Sequence, residues 1–261
     1  MDGDDIVTAL LAMHVPPRLC EDFPDLPPDT EAVLIYGSQA RGDAVPDSDL
    51  DVLALVSNSR RSTYAGSVSV SYYTREQLST GIGTLFGAHL KRDAKIVWDE
   101  HGRLKRAVVE MGEVDTERLL ARARGMSVLF TSPEQDLPKY LAGLLRQARY
   151  LLRSCLYAQA IADGQPCFSV RELAVRHGDS SLAHLLASRQ PAEPTTADLE
   201  LCLSRLRVIL GDLPASPHGS LEATVVNEWG QASDILSMAF MALGNTGAAS
   251  SDYAEVEKIL L

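Results

Sequence analysis

The chain has 261 residues, 46% of them hydrophobic, and a formal net charge of −11. That length holds one large or two modest domains, and the apolar share is ordinary for a globular protein. Acidic residues outnumber basic ones throughout, 17 to 11 over 1–110 and 18 to 13 over 111–261. No basic stripe therefore marks a long nucleic-acid groove, and the balance favours a small or cationic partner.

Apolar runs such as Val33–Tyr36 and Val52–Val56 are far too short to span a bilayer. The acidic start MDGDDIV lacks the basic segment of a secretory signal, so a cytoplasmic location is expected. Cys20, Cys155, Cys167 and Cys202 show no CxxC spacing and no partnered histidines. Free, mostly buried thiols are expected rather than zinc ligands or disulfides.

In chain order, residues 5–15 predict a short amphipathic helix ended by Pro16–Pro17, and a proline-rich connection leads to a strand at Val33–Tyr36. A helical turn in SQARGDA, closed by Gly42, precedes a second strand at Leu50–Val56. Val68–Thr74 alternates as a third strand, and Thr74 caps a helix expected to run over 75–92. Ile96–Trp98 enters a turn at Asp99–Gly102 that continues into Arg103 and Leu104. Beyond Glu113 strand signals nearly vanish. Helices are expected over 115–130, 137–162, 170–177, 180–188, 197–210 and 221–243, with breaks at 189–196 and 213–220 and a mobile stretch at Gly244–Ser251.

The densest chemical information lies in VLIYGSQARGDAVPDSDLDVLALV (Val33–Val56). Residues i and i+2 of a strand share a face, so Asp49 and Asp51 present adjacent carboxylates. Two hard oxygen ligands at that spacing suit Mg²⁺. Upstream of this pair, separated from Asp49 by the ten residues after Ser38, the Gly37-Ser38 dipeptide opens with a glycine that permits close backbone approach. A helix starting near Ser38 would turn its N–H groups towards phosphates. The Ser38 hydroxyl adds a donor, and Arg41, one turn on, supplies a charge for a terminal phosphate. Asp49 and Asp51 are thus the candidate metal-binding and catalytic residues, and Gly37, Ser38 and Arg41 the candidate nucleotide-binding ones. An acidic pair alone is common on solvated strands. Carboxylates heading a buried apolar run need partners, however, because unpaired they are costly there.

The matching residues Gly37-Ser38, Ala40-Arg41-Gly42 and Ser48-Asp49-Leu50-Asp51 resemble the DNA polymerase beta-like nucleotidyltransferase superfamily, in its branch of kanamycin-type and minimal nucleotidyltransferases. The resemblance is strong over 30–56, looser to 105 and not motif-based beyond. It implies an α+β fold, with a mixed-sheet nucleotidyltransferase domain over 1–112 and a mainly α-helical bundle over 113–261. It also implies an enzyme that uses Mg²⁺ to move a nucleoside monophosphate from a nucleoside triphosphate, ATP by preference, to a hydroxyl acceptor with release of pyrophosphate. A small aminoglycoside-like compound, or a protein or tRNA, is the acceptor expected. A protein partner or homodimer stays open, and no membrane is involved.

The family commonly supplies a third carboxylate from the next strand. Here Ser69 stands in that place, with Ser67 and Ser71 beside it, and a serine hydroxyl neither carries charge nor readily accepts a proton. A carboxylate from elsewhere can replace it, the candidates being Asp93, Asp99, Glu100, Glu134 and Asp136. Alternatively the substrate completes the site, or the protein is a nucleotide-binding or partner-binding module of toxin–antitoxin type. The plainer readings are a solvated helix end for Asp93 and a turn residue for Asp99.

Arg171 and His177 match the loose spacing of HEPN ribonucleases, although a charged amphipathic helix explains them as well. His89, Lys91 and Arg92 suit a helix C-terminus. Arg146, Arg149 and Arg153 are expected as a solvated stripe, and Tyr72, Tyr73, Trp98 and Trp229 as core or interface aromatics.

Overall fold

A computed structural model describes residues 3–131, 136–187, 193–231 and 233–244. Glu134, the first half of the 189–196 break and the Gly244–Ser251 stretch after its first residue lie outside the described residues. The fold is α+β, and the chain divides into two compact units, Met1–Glu113 and Val114–Leu261.

The first unit opens with α1 (Gly3–Ala12) and α2 (Pro17–Glu21), then β1 (Thr30–Tyr36), the helical turn α3 (Gly37–Arg41) and β2 (Leu50–Val56). It continues through β3 (Thr63–Ala65), β4 (Val68–Tyr73), α4 (Arg75–Ser79), α5 (Leu85–Asp93), β5 (Lys95–Trp98) and α6 (Arg103–Val109). The sheet is mixed, in the order β3-β4-β2-β1-β5. β2 runs antiparallel to β1 and parallel to β4. β1 and β2 are near-continuous apolar runs because both faces are covered. On one face Val33, Ile35, Leu50, Val52, Ala54, Val68 and Val70 pack with Ile6, Leu10 and Leu19 from α1 and α2. On the other, Tyr36 and Tyr73 meet Phe86 of α5 at ring distances of 5.9 and 5.7 Å.

Three local expectations are corrected. Pro17 does not simply end the first helix; it occupies the first turn of α2, where its missing N–H costs nothing. The expected helix over 75–92 is two helices. Gly83 adopts φ +76° and donates its N–H to Met111 O, and Thr84 starts α5 by accepting from the Gly87 N–H. Arg103 and Leu104 open α6 rather than extend a turn, because the Asp99 carboxylate accepts the Arg103 and Lys105 N–H groups at 2.9 and 2.8 Å. β3 carries too short an apolar signal to be seen in advance.

The second unit comprises α7 (Thr116–Met126) running into a 3₁₀ turn at Ser127–Thr131, α8 (Leu137–Ala162), α9 (Val170–Arg176), α10 (Ser180–Leu185), α11 (Thr196–Leu210), α12 (Leu221–Glu228) and α13 (Asp234–Leu243). The expected 221–243 helix is interrupted at Gly230, φ +86°, and restarted by the Ser233 hydroxyl, which accepts the Leu236 N–H. The 26-residue α8 is the axis on which α7, α11 and α13 pack. Its arginines are no solvated stripe. Arg153 is 9% exposed and Arg146 donates to Met241 O at 3.1 Å, because α8 is enclosed on several sides and its long polar side chains lie along neighbouring helices. All four cysteines are buried and free. No helix among the described residues is long and apolar enough to cross a membrane.

α8 and α13 approach at backbone distance. A Cβ built on Gly143 would overlap the Ala242 carbonyl. Gly143→Ala is therefore expected to destabilise this unit by about 1–3 kcal/mol, as overpacking at a backbone contact does. Urea unfolding followed by circular dichroism reads that cost.

Candidate active site

β1 and β2 bring the candidate residues to one end of the sheet. Tyr36, the last residue of β1, is the direct strand partner of Asp51, and Asp51 is in turn the partner of Ser69 on β4. Directly opposed residues share a face, so Tyr36, Asp51 and Ser69 form one row across three strands. Ser69 thus occupies the position next to Asp51 on the following strand.

Immediately after Tyr36 the chain turns at Gly37 with φ +71°. A side chain there would be strained by conformation, and its Cβ would overlap the Asp51 Oδ2 oxygen. Glycine is what allows the backbone turn and the carboxylate to lie against each other. The turn that follows is a single five-residue one, too short to sum a sizeable dipole. Close backbone approach is accordingly Gly37's main offering. Gly42, at φ +83°, closes the turn and donates its N–H to Ser38 O at 2.9 Å.

The return loop is pinned on both sides of Asp49. The Ser48 hydroxyl accepts the Val45 N–H at 2.8 Å, Gln39 Nε2 donates to Ser48 O at 3.4 Å, and the Leu50 N–H donates to Ser67 O at 2.9 Å. Asp49 precedes the strand by one residue. Its charge acts on Asp51, whose carboxyl is pushed up to about 7. Loss of water is the main cause, repulsion from Asp49 the second, and attraction to Arg41 partly offsets both. Asp51 keeps some surface in contact with solvent, so burial alone is not complete.

Arg41 is gripped. Its Nε lies 3.1 Å from Asp43 Oδ1, and its Nη1 lies 3.1 Å from His89 Nε2 and 3.5 Å from Asp93 Oδ2. The His89 ring stands edge-on to Tyr36 at 5.8 Å. Asp93, expected as a solvated helix end, is instead a buried carboxylate with a side chain 6% exposed. Little in the local sequence of α5 signals this, because the compensating guanidinium comes from a turn 48 residues before His89. The i,i+4 pairing of His89 with Asp93 was the one local hint.

The other proposed carboxylates have structural duties. Asp99 holds the start of α6, and Asp136 in the second unit accepts the Leu221 N–H at 2.9 Å. Glu100 is exposed. Arg171 and His177 are both exposed, and six positions along a helix leave them roughly 120° apart around its axis, so α9 does not bring them together.

No group of three or more His, Cys, Asp or Glu side chains among the described residues gathers to hold a metal. The Asp49–Asp51 pair nevertheless suits a divalent cation. It offers hard oxygen donors, its mutual repulsion is of the kind a cation relieves, and Gly37 leaves Asp51 the room a Cβ would fill.

A family model described as nucleotidyltransferase domain matches residues 16–114. Among solved structures, a nucleotidyltransferase-like protein from Exiguobacterium sibiricum shares 15% identity, with 78% of this chain and 74% of that one covered and a TM-score of 0.31. No curated protein matches significantly. Residues 16–114 of this chain are a nucleotidyltransferase domain of the DNA polymerase beta-like superfamily.

Proposed function

We propose that the first unit binds a nucleoside triphosphate, ATP by preference, with Mg²⁺ and transfers its nucleoside monophosphate to a hydroxyl acceptor. The reading is carried by the abutment of the Gly37 backbone on the Asp51 carboxylate, which would set a phosphate-binding turn directly against a metal-binding pair. Asp49 and Asp51 would hold Mg²⁺, which when bound supplies charge neutralisation for the triphosphate and polarises the α-phosphorus. Gly37 and Ser38 lie where backbone and hydroxyl donors can line the triphosphate, and Arg41 balances its charge. The acceptor oxygen forms a bond to the α-phosphorus as the bond to the bridging oxygen breaks, and pyrophosphate leaves. The net charge of −11 favours a cationic small molecule, such as an aminoglycoside-like compound, as acceptor.

Purified protein incubated with Mg²⁺, α-labelled nucleoside triphosphates and an acceptor panel of aminoglycosides, tRNA and cell protein tests this. The reading expects label on an acceptor together with pyrophosphate release. Nucleotide binding without transfer to any acceptor would instead favour the binding module that Ser69, standing beside Asp51, leaves open.

A further inference from the structure

We propose that Asp93 is a positioning residue for the nucleotide: with His89 it holds the Arg41 guanidinium beside Asp51, set to meet the triphosphate. This rests on the reading of Asp49, Asp51 and Arg41 as the nucleotide site.

Asp93 ends α5, where the helix dipole disfavours a negative charge. Its side chain is nonetheless only 6% exposed and lies 3.5 Å from Arg41 Nη1, 3.4 Å from His89 Nε2 and 3.5 Å from Arg92 Nε. A carboxylate buried at the unfavourable end of a helix persists where cations compensate it. Arg92 is its sequence neighbour and needs no fold to arrive there; Arg41 arrives from the turn after β1.

The constraint runs in the other direction as well. His89 Nε2 lies 3.1 Å from Arg41 Nη1, a guanidinium nitrogen that only donates. That ring rests edge-on against Tyr36, the residue before Gly37 and the strand partner of Asp51. The contacts that orient Arg41 therefore lead back to the strand ends carrying Gly37 and Asp51. They engage Nε and Nη1. A loose arginine loses its rotamer freedom when it meets a phosphate. One held by Asp43, His89 and Asp93 has lost it on folding, so the restraint strengthens binding without a new contact to ligand.

Two readouts test this on the full-length protein. Titration with Mg²⁺ and α,β-methylene-ATP is expected to show about tenfold weaker binding for Asp93→Asn, with most of it recovered in Asp93→Glu. Arg41→Ala and the Arg41→Ala/Asp93→Asn double variant are expected to bind alike, because Asp93 acts through Arg41. In the absence of nucleotide, ¹⁵N NMR of the Arg41 guanidinium is expected to show hindered rotation in the wild type and fast rotation in Asp93→Asn. Unchanged binding in Asp93→Asn, losses that multiply in the double variant, or unchanged Arg41 rotation would each overturn the proposal. Should Asp93→Asn fail to fold, Asp93→Glu and the wild-type Arg41 rotation decide it, since a freely rotating wild-type guanidinium is itself contrary. Failure of the nucleotide site reads differently: Asp49→Asn/Asp51→Asn would then leave Mg²⁺-dependent binding unchanged while the NMR arm still reports on Asp93.

Discussion

Asp51→Asn is expected to stabilise the metal-free protein at pH 8 while lowering nucleotidyl transfer by on the order of a hundredfold or more. Both effects come from one carboxylate. Burial and the neighbouring Asp49 raise Asp51 from 3.8 to about 7, so the folded protein holds a proton there that the unfolded chain has already released. A raised carboxyl makes stability fall as pH climbs from the unfolded value to the folded one, and the loss is complete above about 7. The ceiling is about 4 kcal/mol, at roughly 1.4 kcal/mol per pH unit, and contact of Asp51 with solvent reduces it. Asparagine removes the titration. The difference in unfolding free energy between wild type and Asp51→Asn should therefore widen from pH 5 to pH 8 in chelator. Mg²⁺ should narrow it at pH 8 by binding the ionised wild-type pair. A difference that stays constant across this range would place the perturbed group elsewhere.

Gly37→Ala is expected to cost stability and to weaken Mg²⁺–nucleotide binding about tenfold or more, through two separable causes. The first is conformation: φ +71° strains any residue with a Cβ by about 1–2 kcal/mol. The second is occupancy, because the new methyl meets Asp51 Oδ2 and must displace the carboxylate from its row. Gly42→Ala separates them. Gly42 has φ +83° with open space where its Cβ would go, so it should share the loss of stability and retain nucleotide binding. Equal losses of binding in the two variants would show that the turn's conformation matters and its contact with Asp51 does not. Calorimetric titration with α,β-methylene-ATP, alongside thermal unfolding, measures both quantities.

Much of the α+β fold was legible because its elements announce themselves. The run at Leu50–Val56 and α8, which has no proline beyond Pro138 in its first turn, match their expected bounds, since a buried central strand and a long amphipathic helix carry strong periodic signals. Glycines inside apolar periodicity were less readable. Gly83 and Gly230 break two expected helices because each takes positive φ at a place where the hydrophobic pattern continues across the break. In the candidate site, Gly37 and Asp51 stood out as residues, while their mutual contact depends on strand register. The burial of Asp93 was illegible for a related reason. Its burial is made tolerable by Arg41, and no local window contains both. The arginines of α8 were misjudged in the same way, because what encloses them is helices distant in sequence.

The most direct test of the central claim is a crystal structure with Mg²⁺ and a non-hydrolysable nucleoside triphosphate. The account predicts a metal at about 2.1 Å from carboxylate oxygens of both Asp49 and Asp51, with the triphosphate along Gly37 and Ser38 and a phosphate oxygen on Arg41. A metal that bypasses the pair, or a nucleotide bound away from Gly37, would contradict it.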